Sequence, residues 1–143
     1  MKKFIKDKRA GASAIVFILL LMLSIFTLMK VIPIIQVMYT RWAITMTYKK
    51  GLDKVQQTGV LTNEIEAQIK NYAANFGIDK TKMVINGTLT PVNWGEDVGI
   101  SIDYNLTYKD YTLPSILLLN VSDKTVDIHV EGSTSSYYFD NNN

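Results

Sequence analysis

The sequence predicts an α+β fold: a long N-terminal transmembrane and stalk helix, one amphipathic helix, then a small antiparallel sheet of about three strands. Three observations carry this expectation. Residues 10–29 hold no charged side chain. Residues 64–76 space their apolar side chains three and four positions apart, which is the helical period. Residues 98–108 alternate apolar and polar side chains, which is the period of a strand buried on one face.

The first element is read from length and charge. Eighteen residues, 12–29, form a charge-free, predominantly apolar run. As a helix they rise roughly 27 Å, close to the ~30 Å hydrocarbon core of a bilayer. The run has no polar face to turn toward water, so a membrane suits it and an aqueous surface does not. Residues 1–9 hold five Lys or Arg against Asp7, whereas the remaining residues hold ten against twelve Asp or Glu. The net charge of +2 is therefore set by a short basic tail. Such a tail stays cytoplasmic and sends the rest of the chain outward. The same imbalance argues against a nucleic-acid surface.

Residues 1–11 are thus expected to be a basic cytoplasmic leader. Residues 12–40 form the membrane helix, which extends as a stalk to about residue 57, and residues 60–143 form an extracytoplasmic α+β domain. No small-x-small cleavage pattern follows the apolar run, so an uncleaved anchor is expected in place of a secretory signal. Lys30 marks the outer boundary and can snorkel outward or meet a carboxylate of a neighbouring subunit. Pro33 removes one helical hydrogen bond, so a kink or a local break is expected there. Beyond it Ile35, Met38, Tyr39, Trp42 and Met46 share one face, the expected packing face of the stalk. Tyr39 and Trp42 suit the outer headgroup belt. Gly59 is the expected break.

The second helix is expected at about 64–76. Asn63 reads as its N-cap with Glu66 three positions on. Ile65, Ile69, Ala73 and Phe76 form its apolar stripe, and Gly77 suits a left-handed C-terminal cap. From Lys82 the period becomes two: Met83, Ile85 and Leu89 alternate with Val84, Asn86 and Thr88. A turn through Pro91, Asn93, Gly95 and Asp97 follows. The next strand turns Val98, Ile100, Ile102, Tyr104, Leu106 and Tyr108 to one side. The last, from Lys124 to about Glu131, turns Val126, Ile128 and Val130 inward. Between them the apolar residues 113–119 are too short to span a bilayer. They suit a buried loop, a short helix, or an apolar lip that touches the membrane or a neighbour.

No constellation argues for an enzyme. The chain has no Cys and one His. Asp127, His129 and Glu131 share the outer face of a strand, which solvated alternation explains as well as a metal site does. Glu64 and Glu66 sit at a helix start, where the macrodipole favours them. The eight Gly are dispersed and form no phosphate-cradling loop. No catalytic, metal or cofactor site is expected, and no cofactor.

The run Lys8-Arg9-Ala10-Gly11-Ala12-Ser13-Ala14-Ile15-Val16-Phe17 resembles the start of type IV pilin-like proteins, and more closely the TadE-like pseudopilins of tight-adherence pilus systems. There a basic leader ends at Gly, small residues follow, and Val-Glu-Phe opens an apolar span. Ile15-Val16-Phe17 stands here in that place, with Val16 where the family has Glu. The later order of helix and strands is similar too. The resemblance implies a bacterial minor pseudopilin or biogenesis factor of a pilus or secretion apparatus. It implies leader processing between Gly11 and Ala12 by a prepilin peptidase. It also implies packing through Ser13, Ala14, Val16, Phe17, Lys30 and Pro33 against the membrane and other pilin-like or pilus-assembly subunits. Tyr104, Tyr108, Leu117 and Leu118 would form a partner surface. The alternative is a standalone single-pass envelope protein whose outer domain binds a ligand or wall component.

Overall fold

The computed structural model describes residues 2–115 and 118–138, with side chains described for 13–112 and 120–138. Helix α1 spans Lys2–Thr58 and helix α2 spans Asn63–Ala74. A 3-10 turn at Lys80–Lys82 leads into strands β1 (Met83–Gly87), β2 (Asp97–Ser115) and β3 (Leu118–Ser135). The fold class is α+β. The sheet is antiparallel, in the order β1-β2-β3, with Ile85 opposite Ile102 and Met83 opposite Tyr104. The chain divides into two compact units, Met1–Ile35 with Lys109–Ser122 and Gln36–Tyr108 with Asp123–Asn143.

Helix α1 runs through Pro33 without a break. A proline removes one N–H donor, and the turns on either side keep their own bonds. The helix stops where Gly59 takes φ +69°, a left-handed conformation that costs Gly little. A β-carbon there would also meet the Val92 carbonyl at 2.5 Å.

In the second unit the core is built from α1, α2 and the inner face of the sheet. The buried face of α1 is Thr40, Ala43, Ile44, Thr47 and Val55, a stripe of three- and four-residue steps. This corrects the expected packing face. Ile35, Met38, Tyr39 and Trp42 are each about half to two-thirds exposed (48–67%). The helix buries its small and β-branched side and leaves its bulky side out. Thr47 is satisfied internally, its hydroxyl donating to the Ala43 carbonyl at 2.9 Å. Gly51 permits the close approach: a β-carbon there would lie 2.9 Å from Ile69 Cδ1.

Helix α2 is capped by Thr62, not Asn63: the Thr62 hydroxyl accepts from the Ile65 N–H at 3.2 Å. At its far end Gly77, with φ +76°, donates to the Ala74 carbonyl, and Ile78 donates to Ala73. That pair of bonds is the Schellman arrangement. Ile65, Ile69 and Ala73 are buried, as their spacing predicts.

The strands differ from expectation in length. β1 ends at Gly87, and Leu89 beyond it is 77% exposed. Thr88 instead donates its N–H to the Gly99 carbonyl and accepts from the Leu61 N–H. β2 and β3 reach Ser115 and Leu118, so residues 113–115 and 118–119 are extended, not a loop or short helix. Pro114 lies within β2, beyond the residues 100–104 that pair with β1.

Candidate functional site

The most distinctive surface is the N-terminal half of α1. Among the described residues one helix is long and apolar enough to cross a membrane, and none of its most apolar 18-residue window is buried. Ile15, Val16 and Phe17 are 55–66% exposed, and Ser13 and Ala14 are exposed beside them. Gly11 and Ala12 lie within the same helix. Burying this side-chain surface in lipid is worth roughly 25 cal/mol per Å² of apolar area. Left in water, it would be an exposed patch far beyond what monomeric soluble proteins carry.

In the first unit, α1 meets the distal part of the β2–β3 hairpin. The Lys30 ammonium lies 3.0 Å from Asp110 Oδ1, with the two side chains 38% and 14% exposed. Lys30 therefore finds its carboxylate within its own chain. Pro33 is buried one turn further on.

The four residues expected to form a partner surface do not come together. Tyr104 is buried at 6% exposure within the core. It sits on the inward face of β2 opposite Met83, so its ring fills the interior and is unavailable to a partner. Tyr108 is half-buried on the same face. Leu117 and the side chain of Leu118 lie outside the described residues.

His129 projects outward from β3. Its Nδ1 meets Asp103 Oδ1 at 2.5 Å across the sheet, and its Nε2 meets Glu131 Oε2 at 3.3 Å. Hydrogen bonds to Asp103 first and Glu131 second push its pKa up. Asp127 turns instead to the Asn105 amide at 2.5 Å. Both ring nitrogens are thus engaged by carboxylates, and the Asp127-His129-Glu131 set does not converge. Among the described residues no group of three or more His, Cys, Asp or Glu is placed to hold a metal ion.

Sequence reasoning missed an aromatic cluster where α1 enters the second unit. Trp42 packs edge-on to Phe76 with ring centroids 5.6 Å apart, and Tyr72 meets the same ring at 5.3 Å. Tyr39 lies tilted against Trp42, with ring centroids 5.9 Å apart, and donates its hydroxyl to the Phe76 carbonyl at 3.3 Å. The signal was there in Phe76, which ends the α2 stripe. Nothing in a linear pattern pairs it with Trp42.

Comparison with known proteins finds no family model, no curated protein and no solved structure that matches the chain.

Proposed function

We propose that the chain is a single-pass membrane protein with a cytoplasmic N-terminus and an extracytoplasmic domain. In this reading it serves as a minor pseudopilin-like subunit or biogenesis factor of a bacterial pilus or secretion apparatus. It acts through helix packing and protein contacts, with no catalytic step. One observation carries the reading: a 57-residue helix that is exposed and apolar over residues 15–25 and buried along Ala43, Ile44 and Val55. That is the division of labour a subunit needs when it stores its anchor in a bilayer and offers it to other anchors. Small residues at the inner end, Gly11, Ala12, Ser13 and Ala14, suit close backbone approach between helices. Other pilin-like subunits are the proposed partners, and a prepilin peptidase the proposed processing enzyme.

Val16 favours a second reading. A pilin-like chain cleaved after Gly11 would carry Val16 where the family's Glu pairs with a neighbour's N-terminal amine. A standalone envelope protein needs neither that pairing nor cleavage. The two readings separate on the intact mass and N-terminal residue of the chain extracted from its native membrane. A start at Ala12 supports the pseudopilin. A start at Met1 supports the permanent anchor and sinks the first reading.

A further inference from the structure

A cleft of about 330 Å³ lies between α1 and α2 within the second unit. Its floor is Ile69, where Gly51 lets the two helices approach: a β-carbon at Gly51 would lie 2.9 Å from Ile69 Cδ1. Lys50 and Lys54 line the α1 wall, and Gln68, Asn71 and Tyr72 line the α2 wall. Two lysines four positions apart share one face of a helix, and like charges at that spacing repel. Neither ammonium has an ion-pair or hydrogen-bond partner among the described residues. Among the described residues no carboxylate lines the cleft. The acids of α2 are held elsewhere: Glu66 pairs with Lys70 at 2.6 Å, and Glu64 accepts from the Gln68 amide at 3.3 Å. Asp53 of α1 is exposed and outside the lining. Across the cleft, Asn71 Oδ1 accepts from Lys80 at 2.6 Å. An ammonium bonds only the oxygen of an amide, so the Asn71 side-chain nitrogen is left to donate. Tyr72 adds a hydroxyl, on a ring held against Phe76 with centroids 5.3 Å apart.

We propose that this cleft binds a phosphate dianion, either free or as a phosphomonoester. The inference goes beyond the pilus and envelope readings and needs only the second unit. Charge selects the ligand. One wall supplies two positive charges and the other supplies amide and hydroxyl donors, so the complementary ligand carries two negative charges and several acceptor oxygens. A phosphomonoester carries about −1.5 to −2 charges at neutral pH and three strong acceptor oxygens. A carboxylate or a phosphodiester carries one charge and leaves the second ammonium uncompensated. Size agrees with this choice. The cleft is at the lower end of the range for small-molecule sites. Lys50 and Lys54 are separated by ~6 Å along the helix axis, a distance that two flexible four-carbon stems close onto one anion.

The test titrates inorganic phosphate into the full chain in neutral-detergent micelles at constant ionic strength, with binding followed by phosphorus NMR linewidth. Lys50→Gln and Lys54→Gln are each expected to weaken binding about tenfold, the loss of one charge-assisted hydrogen bond, while Lys50→Arg keeps most of it. Arg41→Gln, an exposed cation of α1 outside the cleft, is expected to change nothing. Asn71→Asp keeps an acceptor for Lys80 and sets a carboxylate opposite the two lysines. It is expected to abolish binding, and it gives an independent reading if a lysine variant fails to fold by circular dichroism. Glycerol 3-phosphate separates the two sources: tighter binding than inorganic phosphate marks a phosphomonoester, equal or weaker binding marks the free anion, and both uphold the site. Absence of phosphate binding overturns the proposal, as does undiminished binding by the folded lysine variants. Glycerophosphoglycerol, a soluble phosphodiester, overturns the dianion if it binds as tightly as phosphate. Displacement of phosphate by tetraglutamate more readily than by glycerol 3-phosphate overturns it in favour of an acidic peptide.

Discussion

Lys30 and Asp110 stand eighty positions apart in sequence, and their charged atoms are 3.0 Å apart in the first unit. The Asp110 side chain is 14% exposed and the Lys30 side chain 38%. Screening at the more open partner limits the worth of the pair, and the burial of Asp110 makes the loss of Lys30 costly. A double-mutant cycle with Lys30→Met and Asp110→Asn in micelles is expected to give a coupling of about 1 kcal/mol. The exchanged pair, Lys30→Asp with Asp110→Lys, is expected to recover part of it. Additive single effects would show that the contact contributes nothing to stability.

Gly132 faces the hydroxyl of Tyr48, and a β-carbon at that position would run into it. Tyr48 is partly buried, and that burial pushes its pKa up. Gly132→Ala is expected to destabilise the domain by about 1–3 kcal/mol through overpacking. Tyr48→Phe removes the offending oxygen and is expected to restore part of that loss. Chemical denaturation of the wild type, the two single variants and the double variant checks this, and an unchanged midpoint in Gly132→Ala would show that the ring moves aside freely.

The start of α2 offers a choice between two neighbouring residues. Thr62→Ala removes the hydroxyl that accepts from Ile65 N–H and is expected to cost about 1 kcal/mol. Asn63→Ala touches no cap and is expected to cost a few tenths of that. Equal losses, measured by thermal unfolding, would mean that both side chains compete for the same N–H.

This one-residue shift shows where the sequence was legible. Ser, Thr, Asn and Asp all cap well, so adjacent Thr62 and Asn63 cannot be separated by residue type. The period-two run of β2 was unambiguous because Val98, Ile100, Ile102, Tyr104 and Leu106 all turn inward. The same pattern sealed Tyr104 inside and removed it from the partner surface proposed for it. The inner face of α1 was not legible. Thr40, Thr47 and Gly51 do not look like a core, whereas Ile35, Met38 and Trp42 do. Such reasoning assumes that apolar side chains seek the protein interior, and under the proposed membrane reading α1 has a second apolar solvent beside it. The length of the β2–β3 hairpin was hidden by Lys109, Asp110 and Pro114, which interrupt the alternation without interrupting the strand. Lys30 and Asp110 are both visible in the sequence, but only the fold makes them partners.

His129 gives a pH dependence whose direction follows from its neighbours. Asp103 and Glu131 favour the imidazolium, so its folded pKa lies above its ordinary value of 6.5. The folded state then binds the proton more tightly than the unfolded chain does. The resulting stability is fully present below the unfolded pKa and is lost as pH rises through the folded one. Asp79 acts oppositely. Hydrogen bonds from Thr81 hold its carboxyl below the usual range, so its contribution is present above the unfolded pKa and fades as pH falls through the folded one. Melting temperatures across neutral pH are expected to decline with rising pH in the wild type and to flatten in His129→Gln. The same slope in both proteins would place the titrating group elsewhere.

On the proposed reading of α1 as a membrane anchor, Trp42 is placed to report the depth at which the domain meets the bilayer. Its ring is 48% exposed, and one edge is held by Phe76. Aromatic pairs of this geometry contribute about 0.5–1.5 kcal/mol beyond area burial. Phe76→Leu is therefore expected to loosen Trp42 and raise its fluorescence anisotropy decay rate without unfolding the domain. The chain has two Trp, so Trp94→Phe leaves Trp42 as the only tryptophan, selected by excitation at the red edge of the absorption band. In lipid bilayers, Trp42 is expected to be quenched more by lipids brominated near the headgroup than by lipids brominated near the chain end. Interfacial aromatic residues occupy that level. Stronger quenching from the chain ends would place Trp42 within the hydrocarbon and shift the outer boundary of the span past it. Absence of quenching by either lipid would lift the aromatic cluster clear of the bilayer, leaving Tyr39 and Trp42 to pack against protein.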